Sequence, residues 1–174
     1  MNPKTISSKP IYNGRIFDVR VDKIREGDIE YEREIVAHRG SAVIVPLFAD
    51  GTVALVRQYR HAAGKSLLEI PAGSLEIGED PLTGAIRELE EEIGVTAGKM
   101  EPLAAFYISP GFLTEKMNVF LATDLTETAQ NLEHDELIEI ERIPLAEAAE
   151  MARDGRIEDA KTITGLLLCQ NRER

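Results

Sequence analysis

The stretch GSLEIGEDPLTGAIRELEEEIGV, residues 73–95, decides how this chain is read. Asp80 followed by Pro81 suits an N-cap with proline at the first helical position, and Gly94 after Ile93 suits a left-handed C′ glycine. A helix is therefore expected over Pro81–Ile93. Leu82, Ala85, Ile86, Leu89 and Ile93 follow helical spacing and form one apolar stripe for a core. The same helix carries Glu88, Glu90, Glu91 and Glu92. Like charges three or four apart cost about 0.2–0.5 kcal/mol per pair. Glu88, Glu91 and Glu92 share a second stripe, Glu79 can approach it from the N-terminal end, and Gly84 leaves open space one turn before Glu88. Carboxylate oxygens are hard ligands that suit Mg2+ or Mn2+. An acidic, solvated helix face is the alternative, and the helix alone leaves both readings open.

Outward from this helix, most of the chain reads as strands. SAVIVPLF at 41–48 and TVALVRQYR at 52–60 are β-rich runs split by a turn at Ala49–Gly51. SLLEIPAG at 66–73, LAAFYISPGF at 103–112, MNVFLATDL at 117–125 and ELIEIERIP at 136–144 are further strand candidates, and two helices are expected near 145–154 and 158–171. Upstream, residues 11–22 and 31–40 form a candidate antiparallel hairpin around the turn-like REGDIE. Strands, one central helix, more strands and two terminal helices make an α+β layout with helices packed on a mixed sheet. The expected division is an N-terminal β-hairpin extension over 1–40 and a main domain over 41–174.

Composition sets limits. Apolar residues make up 43% of the 174, enough for a core, and no apolar run approaches the ~20 residues of a membrane-spanning helix. A net charge of −11 argues against non-specific binding to nucleic acid or to an anionic membrane. The first residues, MNPKTISSKP, lack the apolar centre of a secretory signal. The single cysteine, Cys169, excludes an internal disulfide and follows GLLL in an expected helix, so a buried structural thiol is expected. These features point to a cytoplasmic protein.

The wider spacing adds more than the helix does. Gly73, Glu79, Arg87, Glu88, Leu89, Glu91, Glu92, Gly94 and Val95 stand at the nine constrained positions of a known signature: G, five spaces, E, seven spaces, then R-E-U-x-E-E-x-G-U, U being a bulky aliphatic residue. The chain therefore resembles the Nudix hydrolases. That resemblance implies a Nudix-type α/β/α sandwich and hydrolysis of a nucleoside diphosphate linked to another group. It also implies a divalent cation, Mg2+ or Mn2+, held by Glu88 and Glu92, with Glu91, Glu79 and the Ala72 carbonyl as additional ligands. Arg87 is then expected to brace the loop by ion pairing. Glu90 occupies the position the signature leaves free.

Flanking residues bear on the substrate, because a fold alone does not choose one. VRQYR at 56–60, LEIPAG at 68–73 and SPGF at 109–112, with Pro110 15 residues beyond Val95, resemble the ADP-ribose pyrophosphatase subgroup. Arg60 is a candidate diphosphate clamp, since guanidinium matches phosphate oxygens in a fork; a sheet-edge ion pair is its other reading. Gly73, Ser109, Gly111, Arg33 and Arg39 are the other candidate substrate contacts, and Tyr12, Phe17 and Tyr31 are candidates for adenine stacking. Catalytic roles fall to Glu91, Arg87 and Glu136. The last is the best-aligned base in the acidic run LEHDELIEI, with Glu133, Asp135 and His134 as alternatives. GDP-mannose or another nucleotide sugar is the alternative substrate, and a nucleotide-binding sensor is the non-enzyme alternative. In similar proteins the N-terminal strands pair across a two-fold axis, so the expected partners are a small nucleotide and a second copy of the chain, with no nucleic acid and no membrane.

Overall fold

The structure is a computed structural model that describes residues 2–132 and 137–172. Its elements run β1 (Lys4–Asn13), β2 (Phe17–Glu26), β3 (Ile29–His38), β4 (Ser41–Pro46), β5 (Thr52–Arg60), β6 (Lys65–Glu69), β7 (Ala72–Ser74), α1 (Pro81–Ile93), β8 (Val95–Tyr107), β9 (Lys116–Glu127), β10 (Ile138–Pro144), α2 (Leu145–Asp154) and α3 (Ala160–Arg172). The chain divides into two compact units, Met1–Gly40 with Phe106–Lys116, and Ser41–Ala105 with Met117–Arg174.

The first unit is an antiparallel sheet in the order β1-β2-β3. Gly27, at φ 60°, makes the tight turn between β2 and β3. The expected hairpin gains a strand here. Lys4–Asn13 pairs along β2 from Lys4↔Arg25 to Asn13↔Asp18. Every residue of β1 is exposed, so its sequence, KTISSKPIYN, carries no alternation that would announce a strand. The 106–116 segment joins this sheet: Val36 N–H donates to Phe112 O at 2.8 Å, and Thr114 N–H to Val36 O at 3.0 Å.

The second unit is built around β4. This strand pairs antiparallel with β7 and parallel with β9, in a mixed sheet ordered β7-β4-β9-β8. A second sheet has the order β10-β5-β6. All six residues of β4 are buried, because both of its faces are covered. Ala42 and Ile44 share a core with Ala85, Leu89 and Ile93 of α1. Val45, pointing the other way, meets α3 where Gly165 removes the side chain: a Cβ there would lie 2.7 Å from Ile70 Cδ1 and 3.1 Å from Val45 Cγ2. Helices thus cover both faces of one mixed sheet, the sandwich expected from the sequence. Cys169 is fully buried in α3. No helix among the described residues is long and apolar enough to cross a membrane.

α1 departs from the expected stripe. Ala85, Leu89 and Ile93 are buried, but Leu82 is 39% and Ile86 45% exposed, while Glu92 is only 3% exposed. Helical geometry explains the exposure of Ile86 and the burial of Glu92. At about 100° per residue, Glu92 falls between Ala85 and Glu88 around the axis, nearer the centre of the buried face than Ile86. The acidic stripe therefore lies at the margin of the core.

Leu89→Ala is expected to destabilise the protein by about 2–5 kcal/mol through the cavity it leaves. Ile86→Ala, on the exposed flank, is expected to change stability by about 0.5 kcal/mol or less. Urea unfolding of the two variants checks the assignment.

Candidate active site

The helix that carries the glutamates is closed at both ends by specific contacts. At its N-terminus Asp80 Oδ2 accepts from Leu82 N at 3.0 Å and Thr83 N at 3.3 Å, with Pro81 following the cap. At its C-terminus Gly94, at φ 63°, donates to Glu90 O at 3.0 Å. The remaining carbonyls are taken by a later segment: Asn131 N–H donates to Glu91 O at 3.1 Å, Gln130 Nε2 to Glu92 O at 2.7 Å, and Thr128 N–H to Gly94 O at 2.6 Å. These bonds satisfy acceptors that a helix end leaves open. Sequence reading did not single out Gln130. A lone polar residue in a loop signals nothing until the helix it caps is in place.

Arg87 is the centre of the acidic cluster. Its Nε lies 3.1 Å from Glu79 Oε1 and its Nη2 3.1 Å from Glu79 Oε2. Its Nη1 donates to Glu88 Oε1 at 2.6 Å and to Glu91 Oε2 at 2.9 Å. Bonding to Glu79, opposed by burial and aided by Glu88 and Glu91, raises the Arg87 pKa above its usual value. The same bond to Arg87 holds Glu79 below the usual carboxylate range. Glu79 Oε2 also accepts from Glu76 N at 2.9 Å. The bracing role expected of Arg87 thus corresponds to a five-donor guanidinium spread over three carboxylates. The space expected beside Gly84 is filled instead: a Cβ there would meet Leu75 Cδ2 at 2.7 Å and Glu79 Oε2 at 3.2 Å. The missing side chain lets the loop, rather than a ligand, close on the helix.

Two carboxylates turn toward β7. Glu92 Oε2 accepts from Ala72 N at 3.0 Å. Glu88 is 8% exposed and lies so close to Gly73 that a Cβ at that position would sit 1.9 Å from its Oε1. Gly73 is required for this close approach. Glu90 is exposed. Among the described residues no group of three or more acidic, histidine or cysteine side chains is placed to hold a metal ion. The donor set still fits a hard divalent cation. It consists of carboxylate oxygens of Glu88, Glu91 and Glu92 on one helix, against backbone at Ala72 and at Gly73, the latter with no room for a side chain.

The chain entering β7 is fixed from α3. Asp159 caps that helix, accepting from Thr162 N at 3.0 Å. Thr162 Oγ1 accepts from Ile70 N at 2.9 Å. Pro71 O accepts from Ile44 N at 2.9 Å. Just before this peptide, Glu69 is 1% exposed and carries two cations. Arg60 donates through Nε to Oε1 and through Nη2 to Oε2, both at 2.8 Å, and Lys161 Nζ donates to Oε2. Burial would raise the Glu69 pKa, but Arg60 and Lys161 outweigh it and hold the group ionised.

The other candidates lie elsewhere. Arg33, Ser109 and Gly111 belong to the first unit. Arg33 stacks 4.3 Å over the Tyr31 ring and donates to Glu32 O at 2.9 Å. Ser109 O accepts from Leu113 N at 2.9 Å in a turn that contains Gly111, where a Cβ would meet nothing within 4 Å. Glu136, with Glu133, His134 and Asp135, lies outside the described residues.

Residues 37–166 match the NUDIX domain. The chain is 36% identical to the ADP-ribose pyrophosphatase of Bacillus subtilis (strain 168), over 99% of this chain and 95% of that one. It is 38% identical to the methanol dehydrogenase activator of Bacillus methanolicus, over 98% of this chain and 94% of that one. A crystal structure of an ADP compounds hydrolase superposes with a TM-score of 0.85, covering 98% of this chain and 94% of that one at 24% identity, a likeness of fold.

Gly73→Ala is expected to displace the Glu88 carboxylate and to weaken divalent-cation binding by about 10- to 100-fold. Calorimetric titration of the cation into the variant checks this. Affinity equal to that of the unaltered chain would remove Glu88 from the cation site.

Proposed function

Because the chain belongs to the NUDIX domain family, we propose that it hydrolyses the diphosphate bond of ADP-ribose to AMP and ribose 5-phosphate with Mg2+ as the working cation. The observation that carries the substrate is the 36% identity to an ADP-ribose pyrophosphatase along 99% of this chain. The SPGF segment after the glutamate helix supports it as well.

In this reading Glu88, Glu92 and Glu91, with the carbonyl of Ala72, hold the cation. A divalent cation in such a site offsets charge on the diphosphate and activates water. Arg87 keeps the loop that carries Glu79 closed on the helix. Arg60 meets the diphosphate through the face of its guanidinium that Glu69 does not use. Ser109, Gly111 and Arg33 remain proposed contacts to the rest of the substrate, and Gly73 lets backbone approach it. Glu136 is the proposed general base, taking the proton from the attacking water.

We further propose a homodimer formed through the N-terminal strands. Ile11 (55%), Tyr12 (54%) and Ile16 (57%) are large apolar residues exposed in the first unit, which supports a covering partner there. The lone cysteine fits the cytoplasm. GDP-mannose or another nucleotide sugar is the second substrate reading, and a nucleotide sensor the non-enzyme one.

Mg2+-dependent release of AMP from ADP-ribose tests the proposal, with kcat/KM compared across ADP-ribose, GDP-mannose, other nucleotide sugars and NADH. Binding without turnover of any of them would favour the sensor. Glu136→Gln is expected to lower kcat by about 10²–10⁴ with little change in substrate affinity, and near-normal turnover would end its role as base.

A further inference from the structure

Lys161 is charged, 8% exposed, and plays no part in the cation site. It stands in the first turn of α3 and reaches the Glu69 carboxylate, lying also 3.1 Å from Asp159 Oδ2. A buried lysine is costly unless paired, and a core position in a helix can be filled by an apolar residue of the same size. What this ammonium does is set the Glu69 carboxylate. Oε2 of Glu69 accepts from both Lys161 and Arg60, while among the described residues Oε1 accepts from Arg60 alone. The carboxylate is therefore held at both oxygens, and its plane dictates the plane of the Arg60 guanidinium. The Arg60 side chain is 39% exposed against 2% for Glu69. Nε and Nη2 face the buried acid, and among the described residues no hydrogen bond engages Nη1. Glu92 of the glutamate helix also contributes to stabilising the charge on Arg60, which places the guanidinium within electrostatic reach of that helix.

We propose that Lys161 is a positioning residue for substrate binding: through Glu69 it fixes Arg60 so that Nη1 is presented to a phosphate oxygen of the nucleoside diphosphate. The inference rests on the ADP-ribose reading and adds to it a residue of the C-terminal helix, about a hundred positions from Arg60 in sequence. With Lys161 removed, Glu69 keeps a single cation, and Arg60 is free to follow it into a different plane. Misplacing a binding group by about 1 Å is enough to cost up to 10²-fold.

The test is a double-mutant cycle with ADP-ribose and Mg2+, scored on KM and kcat separately. Lys161→Met in the unaltered chain is expected to raise KM by about tenfold with kcat within about threefold. In an Arg60→Ala background, which has already lost the phosphate contact, the same change is expected to alter KM by less than about twofold. Lys161→Arg, which keeps a cation on Glu69, is expected to recover most of the affinity. A purely structural role behaves otherwise: loss of folded protein lowers apparent kcat in proportion and leaves KM unchanged in both backgrounds. An equal KM effect in both backgrounds, or none in the unaltered chain, overturns the proposal. If Lys161→Met does not fold, Lys161→Gln is read on the same cycle with the same outcomes. Absence of ADP-ribose turnover in the unaltered chain overturns the functional reading itself, whereas turnover without coupling between Lys161 and Arg60 overturns only this inference.

Discussion

One guanidinium makes the acidic helix possible. Arg87 bonds Glu79 through both carboxylate oxygens and also reaches Glu88 and Glu91. Without it, three acids would be gathered beside a low-dielectric core, where repulsion between like charges is strongest. With it, the loop before the helix is tied to the helix itself. That closure explains Gly84, whose missing side chain gives Leu75 and Glu79 room to pack down. One guanidinium set against several carboxylates makes the cluster an attractive place for a cation.

A second constraint acts on the peptide from Ile70 to Gly73. Thr162 bonds Ile70, Ile44 bonds Pro71, Glu92 bonds Ala72, and Glu88 lies against Gly73. Three separate elements, α3, β4 and α1, thus fix four consecutive residues. The rigidity originates in β4, which is buried on both faces and carries α1 on one side and α3 on the other. A site that depends on carboxylates held within fractions of an ångström gains from such support, because binding groups set on packed elements hold their geometry better than groups on free loops.

How much of this could be read from the sequence depends on whether the signal is local. The helix, its caps and the separation of Glu90 from its neighbours follow from spacing alone, since 3.6 residues per turn fixes which side chains share a face. The exposure of Leu82 and Ile86 did not follow. An apolar pattern shows that a face is buried, not where its centre lies, and Glu92, held on Ala72, lies nearer that centre than Ile86. β1 escaped because a fully exposed strand has no alternation. Gln130 and Lys161 escaped for another reason: each acts on a partner tens of residues away, and nothing in a short window distinguishes such a residue from a surface one.

Arg60 shows how two readings that compete in sequence need not exclude each other. As a sheet-edge ion pair it has a full explanation, with Nε and Nη2 both bonded to Glu69. As a phosphate arm it needs a free donor and a fixed plane, and the ion pair provides both. A guanidinium has five N–H donors in a rigid fork, so pairing one edge orients the others. Lysine in this place would offer a point charge with no such orientation. The buried acid is therefore not a competitor for the arginine but what holds it in place. The order of burial supports this: Glu69 is sealed, Lys161 nearly so, and Arg60 alone extends toward solvent. A network built only for stability would have no reason to leave one arm outside.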